Sequence, residues 1–234
     1  IYDFSAFDLW AQPLGLLGLG GLLRLGGWDV DYVDCTDRWH PSVADEKLRR
    51  QPFNVGKYFA VEVPKPPALA RIPRRFKRYG VPPEAVESDL RALNRPDVIL
   101  VTSRMTYWYP GVVDAVRMCR RVFAGVPVIV GGIYATLCSA HAEATCGADV
   151  VFAGEAELSL GSLLESVCGC SLALPPPLGQ TSQVNLDDLP TPAYDLMRRT
   201  IALPYETSRG CPYRCSYCAT ARLHPSHRVK SPMR

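Results

Sequence analysis

No stretch of this sequence is long and apolar enough to cross a bilayer. The longest apolar run, residues 14–23, is ten residues and stops at Arg24, against the roughly 20 that a spanning helix needs. Nothing at the N-terminus combines a basic start, an apolar core and a small-residue cleavage site, so no secretory signal is visible. Charge of either sign is not in excess: 26 Lys+Arg face 23 Asp+Glu, a formal net charge of +3, which makes no general case for a nucleic-acid partner. An initiating methionine is also missing, because residue 1 is Ile. The last residue, Arg234, comes only 16 residues after the last cysteine. Both ends read as cuts within a longer protein whose second domain is truncated. The expectation is a soluble, cytoplasmic chain that does not contact membrane.

What is present is an ordinary globular composition, 47% hydrophobic and 21% charged over 234 residues, enough for one full domain and part of another. It includes nine cysteines. An odd number in a chain without export features argues against a disulfide framework. Cys35, Cys119, Cys138 and Cys146 lie in or beside apolar elements and read as small hydrophobes. Cys168 and Cys170 lie beside a linker and carry no assigned role.

Short apolar runs alternate with helical patterns. Residues 1–7, 28–35, 97–103, 126–132 and 148–154 read as five strands, the last three being continuous apolar runs suited to parallel strands covered on both faces. Pro13 and Gly26 bracket one helix and Pro110 and Gly125 another, with Val112, Val113, Val116, Cys119, Val122 and Phe123 on one face. A third helix is expected over 156–167. The alternation predicts an α/β fold, a doubly wound parallel five-stranded sheet over residues 1–168. Residues 38–96, rich in Pro and basic side chains, read as an insertion. Within them Arg71, Arg74, Arg75, Lys77 and Arg78 form a positive cluster, read first as a solvated or self-paired surface. Residues 169–198 read as a linker, since the Pro-Pro-Pro and polar stretch within them is too poor in apolar surface to pack as a core. Residues 199–234 open a further domain, with a strand over 201–208. Gly18, Gly20 and Gly21 do not make a dinucleotide motif, because Leu23 stands where the third glycine belongs and the run lies inside a helix.

The stretch Arg209-Gly-Cys-Pro-Tyr-Arg-Cys-Ser-Tyr-Cys-Ala places Cys211, Cys215 and Cys218 at C-x-x-x-C-x-x-C spacing. Three thiolates this close can wrap around one metal centre. A structural zinc normally takes four protein ligands, and His224 or His227 could supply the fourth. A four-iron cubane on three cysteines instead keeps one iron open for a substrate or cofactor.

This spacing, with Tyr217 before the last cysteine, resembles the radical S-adenosylmethionine (radical SAM) superfamily. The resemblance implies that Cys211, Cys215 and Cys218 hold a 4Fe-4S cluster. Its free iron would chelate S-adenosylmethionine, Tyr217 would neighbour the adenine, and one electron would release a 5′-deoxyadenosyl radical. It further implies an electron donor such as flavodoxin or ferredoxin and a small-molecule substrate.

The domain in front resembles the cobalamin-binding domain of cobalamin-dependent radical SAM enzymes. The matching residues follow three strands: Val101-Thr-Ser, Gly131-Gly-Ile-Tyr-Ala-Thr and Gly154-Glu-Ala-Glu. Strand carboxyl ends are where such sheets bind ligands. Thr102, Ser103, Gly131, Gly132, Thr136, Gly154 and Glu155 are therefore the expected cobalamin contacts. The loop after the first strand, Phe7-Asp-Leu-Trp-Ala-Gln-Pro, has no histidine to replace the lower cobalt ligand. His40 has the wrong spacing and reads as a surface histidine, whereas Tyr107-Trp-Tyr109 could cover that face of the corrin or pack on the insertion. The resemblance implies a methyltransferase, with ring contraction, cyclisation or another rearrangement as the enzymatic alternative. A non-catalytic corrinoid- or metal-binding module is the alternative of another class, and a zinc-stabilised nucleic-acid binder using residues 71–78 is a third.

Overall fold

The computed structural model describes residues 1–8, 12–43, 55–174, 178 and 183–232. Parts of the expected insertion (44–54), of the expected linker (175–177, 179–182) and of the first loop (9–11) lie outside the described residues. In chain order the elements are β1 (Tyr2–Asp3), β2 (Phe7–Asp8), α1 (Leu14–Leu25), β3 (Gly56–Lys57), β4 (Ala60–Glu62), β5 (Lys77–Tyr79), α2 (Pro83–Arg91), β6 (Ile99–Ser103), α3 (Tyr109–Val122), β7 (Val128–Gly131), α4 (Gly132–Leu137), α5 (Ser139–Thr145), β8 (Val150–Val151), α6 (Leu160–Cys168), β9 (Ser208–Arg209), α7 (Thr220–Leu223) and β10 (Arg228–Val229). They fall into two units. One comprises Ile1–Gln12, Asp31–Asn94 and Asp195–Pro204; the other comprises Pro13–Val30, Arg95–Tyr194 and Tyr205–Arg234.

The second unit carries the α/β architecture. β6, β7 and β8 form a parallel sheet in that order, with Ile99 beside Val128, Thr102 beside Gly131 and Val130 beside Val151. Val128, Ile129 and Val130 are buried, as expected of a central strand covered on both faces. Helix α3 buries Val112, Val116, Met118 and Cys119, and Phe123 just beyond it is buried too; of the predicted face Val113 and Val122 are only half-buried, and Met118 joins it. Leu22 and Leu23 of α1 join Leu160 and Leu164 of α6 in a core cluster.

The prolines expected to keep residues 169–198 solvated do not prevent packing. Leu172, Leu174, Leu178 and Leu189 reach that same cluster, and Val184, Leu186 and Ala193 are buried. The physical cause is simple: leucines recur between the polar residues often enough to coat a neighbouring surface.

Among the described residues the parallel sheet has three strands, not the expected five. Residues 28–35 join no ladder, and the chain turns directly after them: Asp34 Oδ1 accepts the Thr36 N–H at 2.8 Å and Asp37 Oδ1 the Trp39 N–H at 2.7 Å. Such side-chain bonds compete directly with sheet pairing. Residues 1–7 behave alike. Asp3 Oδ1 takes the Phe4 N–H at 2.6 Å, leaving β1 as two residues paired antiparallel to β5.

The first unit is accordingly antiparallel, with β1, β5 and β4 in one sheet and β2 beside β3. Ala6, Tyr58 and Tyr79 form its small core. Three members of the basic cluster there are engaged locally: the Arg74 guanidinium lies over the Phe4 ring, Arg75 faces Glu62 at 3.8 Å and Arg78 donates to the Val81 carbonyl at 3.0 Å.

Candidate functional site

The carboxyl ends of β6, β7 and β8 bring most of the singled-out residues together. Thr102 and Ser103 close β6, and a parallel bridge joins Ser103 to Gly132. Gly132 has φ +86°, and a Cβ there would stand 2.4 Å from Thr102 Oγ1 and 3.1 Å from the Ser103 carbonyl. Only glycine fits that turn. Gly131 and Gly154 differ: a Cβ on Gly131 would meet nothing closer than 3.9 Å, and one on Gly154 nothing within 4 Å. The protein therefore leaves room beside those two backbones. Thr136 closes the edge, donating to the Gly132 carbonyl at 2.8 Å and accepting the Gly154 N–H at 2.9 Å. Its hydroxyl ties the loop after β8 to helix α4.

The cysteine loop is unlike this edge. Cys211, Cys215 and Cys218 are all exposed free thiols, and Tyr217 is 90% exposed. A turn bond from the Cys218 N–H to the Cys215 carbonyl, 3.0 Å long, shapes the loop. The Cys218 sulfur lies 3.2 Å from Thr220 Oγ1. Hydrogen bonds from the Thr220 hydroxyl and N–H favour the thiolate and hold the Cys218 thiol below its ordinary pKa. Among the described residues no three His, Cys, Asp or Glu side chains are grouped as a metal site. The donor set fits an iron–sulfur cluster in kind and spacing, but the three sulfurs are not a preassembled trio. The expected strand over 201–208 shortens to β9, paired antiparallel with β10 through Ser208–Val229 and Arg209–Arg228.

Between the edge and the loop lies an ion-pair network that sequence reasoning did not single out. Arg209 is 8% exposed. Its Nη1 meets Glu157 Oε1 at 2.7 Å and Glu155 Oε2 at 3.3 Å, and its Nη2 meets Glu206 Oε2 at 2.8 Å. Glu155 is also held by Arg228 and by His224 Nδ1, the latter at 2.7 Å. Burial pushes the Glu155 carboxyl up, but hydrogen bonds from Arg228 and His224 and the charge of Arg209 outweigh it and hold it below the usual glutamate value. Burial alone would lower Arg209; hydrogen bonding to Glu206 and the charge of Glu157 reverse that and raise it. The signal for this network was in the sequence, since both glutamates belong to the Gly154-Glu-Ala-Glu motif and Arg209 opens the cysteine motif. Their mutual contact required the fold.

Other candidates sort themselves differently. Tyr109 stacks on Tyr134, with ring centroids 6.1 Å apart, and meets the His141 ring edge-on. Tyr134 is buried, its hydroxyl 2.7 Å from His141 Nδ1. Tyr107 is exposed. His40 is not a surface histidine but is buried, because Asp89 and Ser42 satisfy its two ring nitrogens at 3.0 and 2.7 Å. It lines a cavity of about 240 Å³ in the first unit with Arg38, Trp39, Asp89, Arg198 and Arg199. Cys119 and Cys146 are buried as expected of small hydrophobes, whereas Cys35 is exposed.

No helix among the described residues is long and apolar enough to cross a membrane. No solved structure matches the chain. A protein of Pyrococcus horikoshii, described as an uncharacterized methyltransferase, is 28% identical over the stretch it shares, which covers 54% of this chain and 32% of that protein. The matched part thus spans about a third of that relative. The B12 binding domain family model matches residues 77–164, beginning inside the expected insertion and taking in β6, β7, β8 and most of α6. That match and the glycine-lined edge it contains together support a cobalamin-binding protein.

Proposed function

We propose that this chain is the cobalamin-binding portion, the following linker and the opening segment of a cobalamin-dependent radical SAM enzyme, a methyltransferase acting on a small molecule. In domain terms the proposal is residues 1–168 for cobalamin, 169–198 for the connection and 199–234 for the start of the radical SAM domain. The single observation that carries it is the sheet edge within the B12 binding domain match, where Gly131 and Gly154 leave their Cβ positions open. Backbone approach to a bulky nucleotide tail needs such positions.

At that edge Thr102, Ser103, Gly131, Gly132 and Gly154 would line the ligand. Thr136 holds the last loop in place with both of its hydrogen bonds, so its contribution is positioning. The Glu155 carboxylate is committed to Arg209, Arg228 and His224, which leaves its backbone as the part to meet cobalamin.

Cys211, Cys215 and Cys218 would hold the 4Fe-4S cluster, with Tyr217 beside S-adenosylmethionine. Their exposure leaves all three sulfurs open to incoming iron, and the lowered Cys218 thiol is the readiest donor. Reductive cleavage of S-adenosylmethionine to a 5′-deoxyadenosyl radical is the chemistry such a cluster supplies. The proposal also takes a flavodoxin or ferredoxin as electron donor, a cytoplasmic setting that keeps the nine thiols reduced, and no nucleic-acid partner. The name of the Pyrococcus horikoshii relative favours methyl transfer over rearrangement or cyclisation.

A second reading has its own support. The three thiols are not gathered among the described residues, which suits a corrinoid-binding module without catalysis. One experiment separates the two. Anaerobic reconstitution followed by metal analysis and cobalamin titration should give about four irons and four sulfides per chain together with corrinoid absorbance shifts. Corrinoid binding without iron would favour the module, and absence of corrinoid binding would overturn both.

A further inference from the structure

We propose that Arg209 is a positioning residue that couples occupancy of the sheet edge to the state of the cysteine loop. The inference rests on the cobalamin part of the reading above. It goes beyond that reading by naming a connection between two sites that were identified separately.

Geometry makes the connection short and stiff. Gly154 has φ +96°, open space on its Cβ side, and an N–H held by Thr136 at 2.9 Å. The next residue, Glu155, is fixed through its carboxylate to Arg209, Arg228 and His224, and Glu157 two residues on is 9% exposed and bonded to Arg209. Any ligand that shifts the Gly154 backbone therefore shifts both glutamates. On the other side, Arg209 precedes Gly210, which has φ +86° and no room for a Cβ: one would lie 2.3 Å from the Ser226 carbonyl. Cys211 follows immediately. The Ser226 hydroxyl is in turn held by Gln183, and Arg228 donates to the Val184 carbonyl at 3.0 Å, so the base of the loop has little slack. The most direct route from Gly154 to the first thiol passes through one buried guanidinium, that of Arg209.

Arginine suits this task because its planar fork engages Glu206 through Nε and Nη2 and Glu157 and Glu155 through Nη1. Lysine would keep the charge but, as a point donor, could not span all three carboxylates. Coupling of this kind requires that the ligand favour one arrangement of the loop over another. Accessibility of the thiols reports that arrangement directly.

The test uses the iron-free, reduced 234-residue chain with cyanocobalamin as the probe. Alkylation of Cys211, Cys215 and Cys218 by iodoacetamide is followed by peptide mass spectrometry with and without the corrinoid, with exposed Cys35 as internal reference. The expected result is a change of about threefold or more in the alkylation rates of the three loop cysteines on corrinoid binding, with Cys35 unchanged. That ligand-dependent ratio should fall to one in Arg209→Lys and in Glu157→Gln, each checked for binding and for a native circular dichroism spectrum. Failure of the wild-type chain to bind cyanocobalamin would overturn the cobalamin reading and this inference with it. Normal binding with no change at the loop, or an unchanged ratio in a folded, binding-competent Arg209→Lys chain, would overturn the inference alone. A merely structural role would alter stability but would not remove the ligand dependence.

Discussion

The edge of the parallel sheet and the cysteine loop are parts of one structural unit, yet they are built on opposite principles. At the edge, the Thr136 hydroxyl is used twice, by the Gly132 carbonyl and the Gly154 N–H, and Gly132 fits with no room to spare. At the loop, three thiols and Tyr217 stand in solvent, and the tight packing begins only below them, at Arg209 and Gly210. The difference teaches where preorganisation resides. The edge is shaped in advance by backbone geometry, so an organic ligand would meet a formed surface. The loop is anchored at its base and left open at its tip, which suits a site completed by what it binds, since thiolate ligation contributes binding energy that can order the loop.

The comparison can be broken most severely at the anchor between the two. Arg209→Ala leaves Glu157 buried without its partner and should cost about 3–5 kcal/mol of stability, read as a lower urea midpoint. A midpoint within experimental error of the wild type would show that the network does not hold the loop base. Next comes the edge: Gly132→Ala should cost at least ~1–3 kcal/mol from the left-handed backbone alone, with the overlap at Thr102 added, and should abolish corrinoid binding. Unimpaired binding would mean that the turn at Gly132 is not part of the ligand surface.

Thr136→Val removes the acceptor of the Gly154 N–H and the donor to Gly132 while keeping the shape. It should cost about 1–2 kcal/mol and weaken cobalamin binding. The pH dependence is smaller. Glu155 is held low by Arg228, His224 and Arg209 against the opposing effect of burial. Asp149 is likewise held low, because the Val128 N–H and Arg120 outweigh burial. Carboxylates lowered in the folded state stabilise it fully above their unfolded values, near 4, and lose that contribution as pH falls through the folded ones. The melting temperature should stay flat from pH 7 to about 5 and decline below about 4, less steeply in Glu155→Gln. The smallest effect is expected at the loop tip. Thr220→Val should raise the Cys218 thiol toward its ordinary value and slow its alkylation at neutral pH, leaving the urea midpoint unchanged.

Legibility followed the range of the interactions. The three apolar runs at 97–103, 126–132 and 148–154 contain β6, β7 and β8 because Val and Ile in continuous runs have few alternatives to a covered strand. The face of α3 was readable for a similar reason, its period being intrinsic to the helix. The runs at 1–7 and 28–35 have comparable apolar content, yet Asp3 diverts the Phe4 N–H into a local bond, and Asp34 and Asp37 close turns directly after the second run. Alternation of apolar and polar residues cannot register that competition. The burial of His40 is equally illegible along the chain, since Asp89 lies 49 residues away and is brought to it by the placement of α2.

The sequence by itself determined the parallel strand–helix alternation, the glycines after β7 and β8 and the spacing of three thiols. Each depends on residues that are neighbours along the chain. Only the tertiary structure decided that Glu155, Glu157, Glu206, Arg209, His224 and Arg228 form one network, and that leucines of a proline-rich stretch enter the core. Charges separated by 52 residues, as Glu157 and Arg209 are, acquire an interaction only after folding has brought them together and removed the water between them.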